Sequence, residues 1–250
     1  ILNNQGMSAK SGYEFITVLQ NIISKMKNIS EQCCKECTEF SYEEIKMIKE
    51  EYERYLQEQN LIDFDDMITK CLELLKENEV VRRKYQHMFQ YILVDEFQDI
   101  NRFQYEVIKL LAVPENNIFV VGDDDQTIYG FRGAYPDIMQ QFMVDFPEGM
   151  QIMLTENYRS KKEIIALAEK MISQNQKRFL KEFHPINNGG KIKVSCFETR
   201  KEEEHNIVKE LSLFDLKELC NTAVLVRTNR EGSQYRELFK AEGIPIHGKS

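Results

Sequence analysis

The stretch best suited to chemistry is YILVDEFQD, residues 91–99. An apolar run ends directly in Asp95-Glu96, so two carboxylates emerge at the C-terminal edge of a parallel sheet, where open α/β folds bind ligands. An acidic pair there suits magnesium: one carboxylate holds the ion, and the other accepts a proton from an attacking water. A lone Asp-Glu at a strand end is also a common solvated edge. The next apolar run, IFVV at 118–121, ends in GDDDQTIYGFRGA and places further polar groups at the same edge. Gln126 has the chemistry to hydrogen-bond a phosphate oxygen without adding charge. Tyr129, Phe131 and Arg132 put two rings and a guanidinium in a Gly-bracketed loop, the makings of a stacking platform for a single strand. LTENYRS at 154–160 brings Tyr158 and Arg159 from another part of the chain, as an arginine finger is brought to a nucleotide site.

These residues need elements to position them. Residues 1–86 read as helices: Tyr13, Ile16, Leu19, Ile23 and Met26 recur at three- and four-residue steps, as do Ile45, Ile48, Tyr52, Tyr55 and Leu56. Phe64, Ile68, Cys71, Leu72 and Leu75 continue the pattern, and no proline interrupts the region. Beyond it, short apolar runs at 91–94, 118–121, 152–154 and 223–226 alternate with helical stretches. That is the rhythm of an α/β fold with a mostly parallel, buried sheet. Ser160 and Glu163 form a capping box that opens a helix through Ile172. KIKVSCF at 191–197 alternates as a strand with one exposed face, after a loop at NNGG, 187–190.

With 250 residues, 42% hydrophobic and 30% charged, the chain suits one large or two small globular domains. No apolar run is long enough to span a bilayer and no signal peptide opens the sequence. Ile1 in place of Met reads as a processed end or an artificial boundary. A net charge of −8 argues against coating nucleic acid through overall positive charge, while leaving room for a locally basic groove. Among the six cysteines only Cys34 and Cys37 have metal-like or redox-like spacing, and no second pair completes a zinc site. The others read as reduced, buried thiols, which suits a cytoplasmic location. GIPIHGKS, residues 243–250, satisfies the phosphate-loop pattern G-x-x-x-x-G-K-[ST]. Its context is wrong: a helix bearing Tyr235, Leu238 and Phe239 precedes it, Gly243 sits where a helix ends, and Pro245 follows.

Taken together, the motifs resemble the UvrD/PcrA/Rep family of superfamily 1 helicases. VDEFQD looks like that family's Walker B box, VVGDDDQTIYGFRGA its motif III and LTENYRS its motif IV. LIDFDDMI at 61–68 and the stretch from Ala223 to Gly248 are similar to further segments of the family. The resemblance implies parts of two RecA-like lobes with mostly parallel sheets, preceded by a helical inserted subdomain. Residues 1–86 would be the insert, 87–148 the second half of the first lobe and 149–250 the first part of the second.

It also implies ATP and Mg2+, 3′ to 5′ movement on single-stranded DNA, binding at single/double-strand junctions, and no membrane. Asp95 would position magnesium, Glu96 activate water, Gln126 sense the γ-phosphate, Tyr158 stack on adenine and Arg159 reach the γ-phosphate. Phe64, Tyr129 and Phe131 would pack against bases, although the family usually has tryptophan at the position of Phe131. The family's phosphate loop lies upstream of the insert and its later motifs lie beyond residue 250. The chain is therefore expected to be a middle slice of a longer motor, inactive in ATP hydrolysis by itself. Two other readings compete. One is a degenerate relative that binds DNA or protein without hydrolysing ATP. The other is a nuclease using Asp95 with Asp123, Asp124 and Asp125, whose adjacent side chains would need a turn to grip one ion.

Overall fold

The N-terminal region is built from α1 (Gly12–Asn28), α2 (Tyr42–Glu58), α3 (Phe64–Glu77) and α4 (Glu79–Met88) in the computed structural model. The structure describes residues 12–28, 41–130, 134–135, 137–176 and 178–247. Apolar residues at helical spacing do the packing: Ile22 and Met26 of α1 bury against Ile45, and Leu19 and Ile23 against Ile48. Ile16 and Tyr55, expected on the same stripes, stay exposed. Ser41 and Glu44 close a capping box at the start of α2, and Asp63 and Asp66 do so at α3, satisfying backbone N–H groups that have no partner within the helix.

Next come β1 (Ile92–Val94), α5 (Arg102–Ala112), β2 (Ile118–Val120) and α6 (Ile138–Asp145). The two strands pair in parallel, Ile92 beside Ile118 and Val94 beside Val120. One face of the pair, with Val94, Ile118 and Val120, rests on a core of Phe97, Tyr105, Ile138 and Phe142. Phe97 is fully buried and meets Tyr105 and Phe142 edge-on, at ring separations of 5.7 and 5.4 Å. Leu93 and Phe119 point to the other face and are exposed. Alternation along each strand thus gives this pair one packed face and one open one.

The chain then forms β3 (Glu156–Lys161), α7 (Lys162–Ile172), β4 (His184–Asn187), α8 (Arg200–Leu211), α9 (Leu216–Cys220) and α10 (Asn229–Ala241). It divides into two compact units, one of Ile1–Asn157 with Ala168–His184, the other of Tyr158–Leu167 with Pro185–Ser250. In the second unit Leu211, Tyr235, Phe239 and Ile244 form the core. Gly243, at φ 71°, ends α10: its N–H donates to the Lys240 carbonyl and that of Ile244 to Phe239. This is a Schellman helix ending with its hydrophobic contact from Ile244 to Phe239, the context expected of a helix stop rather than of a phosphate loop. Lys249 lies outside the described residues.

Several sequence expectations are corrected. Residues 152–154, 191–197 and 223–226 are not strands, and Ile152, Val194 and Leu225 among them are exposed. A strand needs a neighbour to take its N–H and C=O groups, and apolar composition does not supply one. The strand expected at 152–154 instead forms on Glu156–Lys161, which pairs with β4. Ser160 therefore lies within β3, and α7 starts two residues later, at Lys162. Cys71, Cys196 and Cys220 are free thiols but exposed rather than buried. Cys34 and Cys37 lie outside the described residues. No helix among the described residues is long and apolar enough to cross a membrane.

Candidate active site

The turn after β1 is forced by its neighbours. Val94 accepts a hydrogen bond from the Val121 N–H at 2.8 Å, and the Phe97 N–H donates to the Val121 carbonyl at 2.9 Å. Only Asp95 and Glu96 lie between these tethers, and the fully buried Phe97 ring anchors the far side. Glu96 makes the turn in the left-handed region, φ 49° and ψ 44°, which non-glycine residues seldom adopt. Its N–H donates to Asp95 Oδ1 at 2.9 Å. Both carboxylates are exposed, and among the described residues neither makes an ion pair. Hard oxygen donors with no cation of their own fit a magnesium ion carrying a nucleotide.

Gln98 joins this turn to the next loop. It is 2% exposed, its Nε2 donates to Glu96 Oε2 at 2.8 Å, and its Oε1 accepts the Asp123 N–H at 3.0 Å. A β-carbon on Gly122 would come within 2.7 Å of that Oε1, so glycine is what lets the two loops close on Gln98.

After β2, Asp123 starts a 3-10 turn over Asp124–Gln126 by accepting the Asp125 N–H at 3.1 Å on Oδ1. Its Oδ2 accepts Gln126 Nε2 at 2.7 Å. Because the chain turns here, the Asp123, Asp124 and Asp125 carboxylates converge, with oxygens all within 4.8 Å of one another. The strand geometry expected to keep them apart does not apply. The cation they share is the Lys181 ammonium, which pairs with Asp123 and Asp124 and, at 3.1 Å, with Asp125. Arg178 adds a two-pronged contact to Asp125 at 2.8 and 2.6 Å, and the Phe179 N–H donates to Asp124 at 2.8 Å. Burial pulls the Lys181 pKa down, but its bonds to the three aspartates outweigh this and hold it above its ordinary value. Burial pushes Asp123 up, and the bonds from Lys181 and Gln126 prevail, leaving it below the usual carboxylate value.

The remaining candidates fall in separate places. Phe64 opens α3 and is 89% exposed. Directly behind it, Lys27 donates to Asp63 at 2.7 Å and to Asp66 at 2.8 Å, and the Tyr52 hydroxyl donates to Asp63 at 3.1 Å. That network fixes the helix start from which the ring projects. Tyr129 is half-buried, and its carbonyl accepts the Ala134 N–H at 3.3 Å. Phe131 and Arg132 lie outside the described residues. Tyr158 and Arg159 stand on β3 in the second unit, both exposed, with the Tyr158 carbonyl accepting from Asn187 Nδ2 at 2.7 Å.

The structure thus brings Asp95, Glu96 and Gln126 onto one linked pair of loops in the first unit, and sets Tyr158 beside Arg159 in the second. Sequence reasoning missed Gln98, Gly122, Arg178 and Lys181. Gln98 was readable as an amide between two acidic motifs; the basic pair carries no local signal.

Comparison with known proteins places the chain. Residues 3–147 match the UvrD/REP helicase N-terminal domain, and residues 152–249 the UvrD-like helicase C-terminal domain. The chain belongs to the UvrD/REP helicase family. The Bacillus subtilis protein YjcD is 38% identical over 209 residues, 81% of this chain and 27% of its own length. The ATP-dependent DNA helicase PcrA of Staphylococcus epidermidis is 36% identical over 235 residues, 92% of this chain and 32% of that protein. PcrA of Staphylococcus aureus is 34% identical over 251 aligned positions, 98% of this chain and 34% of that protein. The chain therefore spans about a third of the length of the curated relatives it matches. Its mixed helices and strands, with a short parallel sheet, agree with the RecA-like domains of UvrD/REP helicases.

Proposed function

We propose that this chain is the middle part of an ATP-dependent DNA helicase that couples ATP hydrolysis to 3′ to 5′ movement on single-stranded DNA and to opening of single/double-strand junctions. Residues 1–86 act as a helical insert, 87–148 as part of the first motor lobe and 149–250 as part of the second. The observation that carries the reading is Gln98, which holds the Glu96 carboxylate and the Asp123 backbone at once. A water-activating base and a phosphate-sensing loop must keep a fixed separation to act on one phosphate, and a buried amide bonded to both supplies it.

In this reading Asp95 holds magnesium, which would neutralise phosphate charge. Glu96, aimed by Gln98, takes the proton of the attacking water. Gln126 donates an N–H toward the γ-phosphate. Tyr158 stacks on adenine and Arg159 stabilises the charge that develops in the transition state. Phe64, Tyr129 and Phe131 offer ring faces to bases, and the outward set of Phe64 supports this for that residue. The membership of the UvrD/REP family and the names of the PcrA relatives support the activity as a whole.

The test uses the complete protein and duplexes with a single-stranded tail at either the 3′ or the 5′ end. ATP-dependent unwinding of the 3′-tailed duplex alone is expected; equal unwinding of both would remove the directional claim. The 250-residue chain by itself is expected to hydrolyse no ATP, and DNA-stimulated turnover by it would contradict the assignment as part of a larger motor.

A further inference from the structure

We propose that Lys181 is a positioning residue for ATP hydrolysis, acting through Asp123 to fix the orientation of Gln126. The inference rests on the site reading above and adds a residue 58 positions along the chain from Asp123.

The geometry is a relay. Asp123 Oδ1 receives Lys181, and its Oδ2 receives Gln126 Nε2 at 2.7 Å. One carboxylate therefore joins a nearly buried cation to the side chain proposed to meet the γ-phosphate. The other aspartates have additional anchors: Asp125 keeps the Arg178 guanidinium and Asp124 keeps the Phe179 N–H. Asp123 has no other cation among the described residues. Removing the ammonium leaves three carboxylates with oxygens within 4.8 Å of one another and one guanidinium among them. Their repulsion acts most on Asp123, and Gln126 moves with it. The segment that carries the cations, Ala168–His184, lies between two stretches of the second unit in the sequence yet belongs to the first.

The experiment measures ATP turnover of the complete protein with saturating single-stranded DNA. Lys181→Met is expected to lower kcat by about tenfold to a hundredfold, the cost of a small misplacement of a reacting group. KM for ATP should stay within about threefold, because the loss is confined to the transition state. Lys181→Arg, which restores the charge, should recover most of the rate. In a Gln126→Ala background Lys181→Met should cost almost nothing more, since both changes break one relay. Wild-type kcat in Lys181→Met, or an equal loss in both backgrounds, overturns the proposal. Should Lys181→Met fail to fold, Asp123→Asn carries the same test: a lower kcat with no further loss on adding Gln126→Ala, against an additive loss that overturns it. Glu96→Gln separates the two levels. Full turnover in Glu96→Gln sinks the site reading itself, whereas an inactive Glu96→Gln beside an unaffected Lys181→Met sinks this inference alone.

Discussion

Asp95 and Glu96 leave β1, Asp123, Asp124 and Asp125 leave β2, and the two groups sit in opposite electrostatic settings. The second group brings its own cations: Lys181 and Arg178 neutralise most of its charge, and Asp124 is 4% exposed at the side chain. The first group has no cation among the described residues, stays in solvent, and is held by an uncharged amide, Gln98. Adjacent acids on one sheet edge therefore divide the work. Carboxylates with a built-in counter-ion hold their turn together, and in the proposed function those kept without one meet the metal and the water. The same scaffolding device recurs at α3, where Lys27 grips Asp63 and Asp66 behind the exposed Phe64.

The comparison breaks most visibly in folding. Asp124→Ala removes a buried carboxylate that accepts the Phe179 N–H and pairs with Lys181, and leaving that donor without its partner costs about 1–3 kcal/mol. A fall in Tm of several degrees is expected by calorimetry. A Tm unchanged from wild type would mean that the cluster is a surface ornament.

A second effect is expected at Phe64. Phe64→Ala should weaken single-strand affinity by about 1–3 kcal/mol, with little dependence on base identity. Because the ring is almost entirely exposed, Tm should hardly move. A destabilised protein with unaltered DNA affinity would make Phe64 a packing residue instead.

The smallest effect is in pH. Asp123 is held below its ordinary 3.8, so the stability it contributes is present above that value and is lost as pH falls through its lowered folded value. Lys181 is held above its ordinary 10.5, so its contribution is present below that value and is lost as pH rises through the raised one. The difference in urea midpoint between wild type and Asp123→Asn should therefore be flat through neutrality and shrink in acid below about pH 4. A difference that grows on acidification would contradict the ion pairing.

How much of this was legible in the sequence depends on whether the information is local. Helix faces such as Leu19, Ile23 and Ile45, Ile48 follow from spacing alone, and they bury as read. The Asp95-Glu96 and Gln126 motifs were readable because each sits directly after an apolar run that does form a strand. Residues 191–197 and 223–226 have equally strand-like composition, but pairing is a property of two segments, and composition reports on one. Lys181 and Arg178 were illegible for the same reason. Nothing near them announces that their partners lie on a turn more than fifty residues earlier. Gly122 is legible only after the fact, since its need for no side chain comes from Gln98 arriving beside it.

The central claim is that the bare pair does the chemistry, and Glu96→Gln tests it most directly. The substitution keeps the size of the side chain and removes the base. Measured in the complete protein with single-stranded DNA, kcat for ATP should fall by about a hundredfold to ten-thousandfold, the range that a positioned base contributes. ATP affinity and Tm should stay close to wild type. Turnover at the wild-type rate in a folded Glu96→Gln protein would contradict the account.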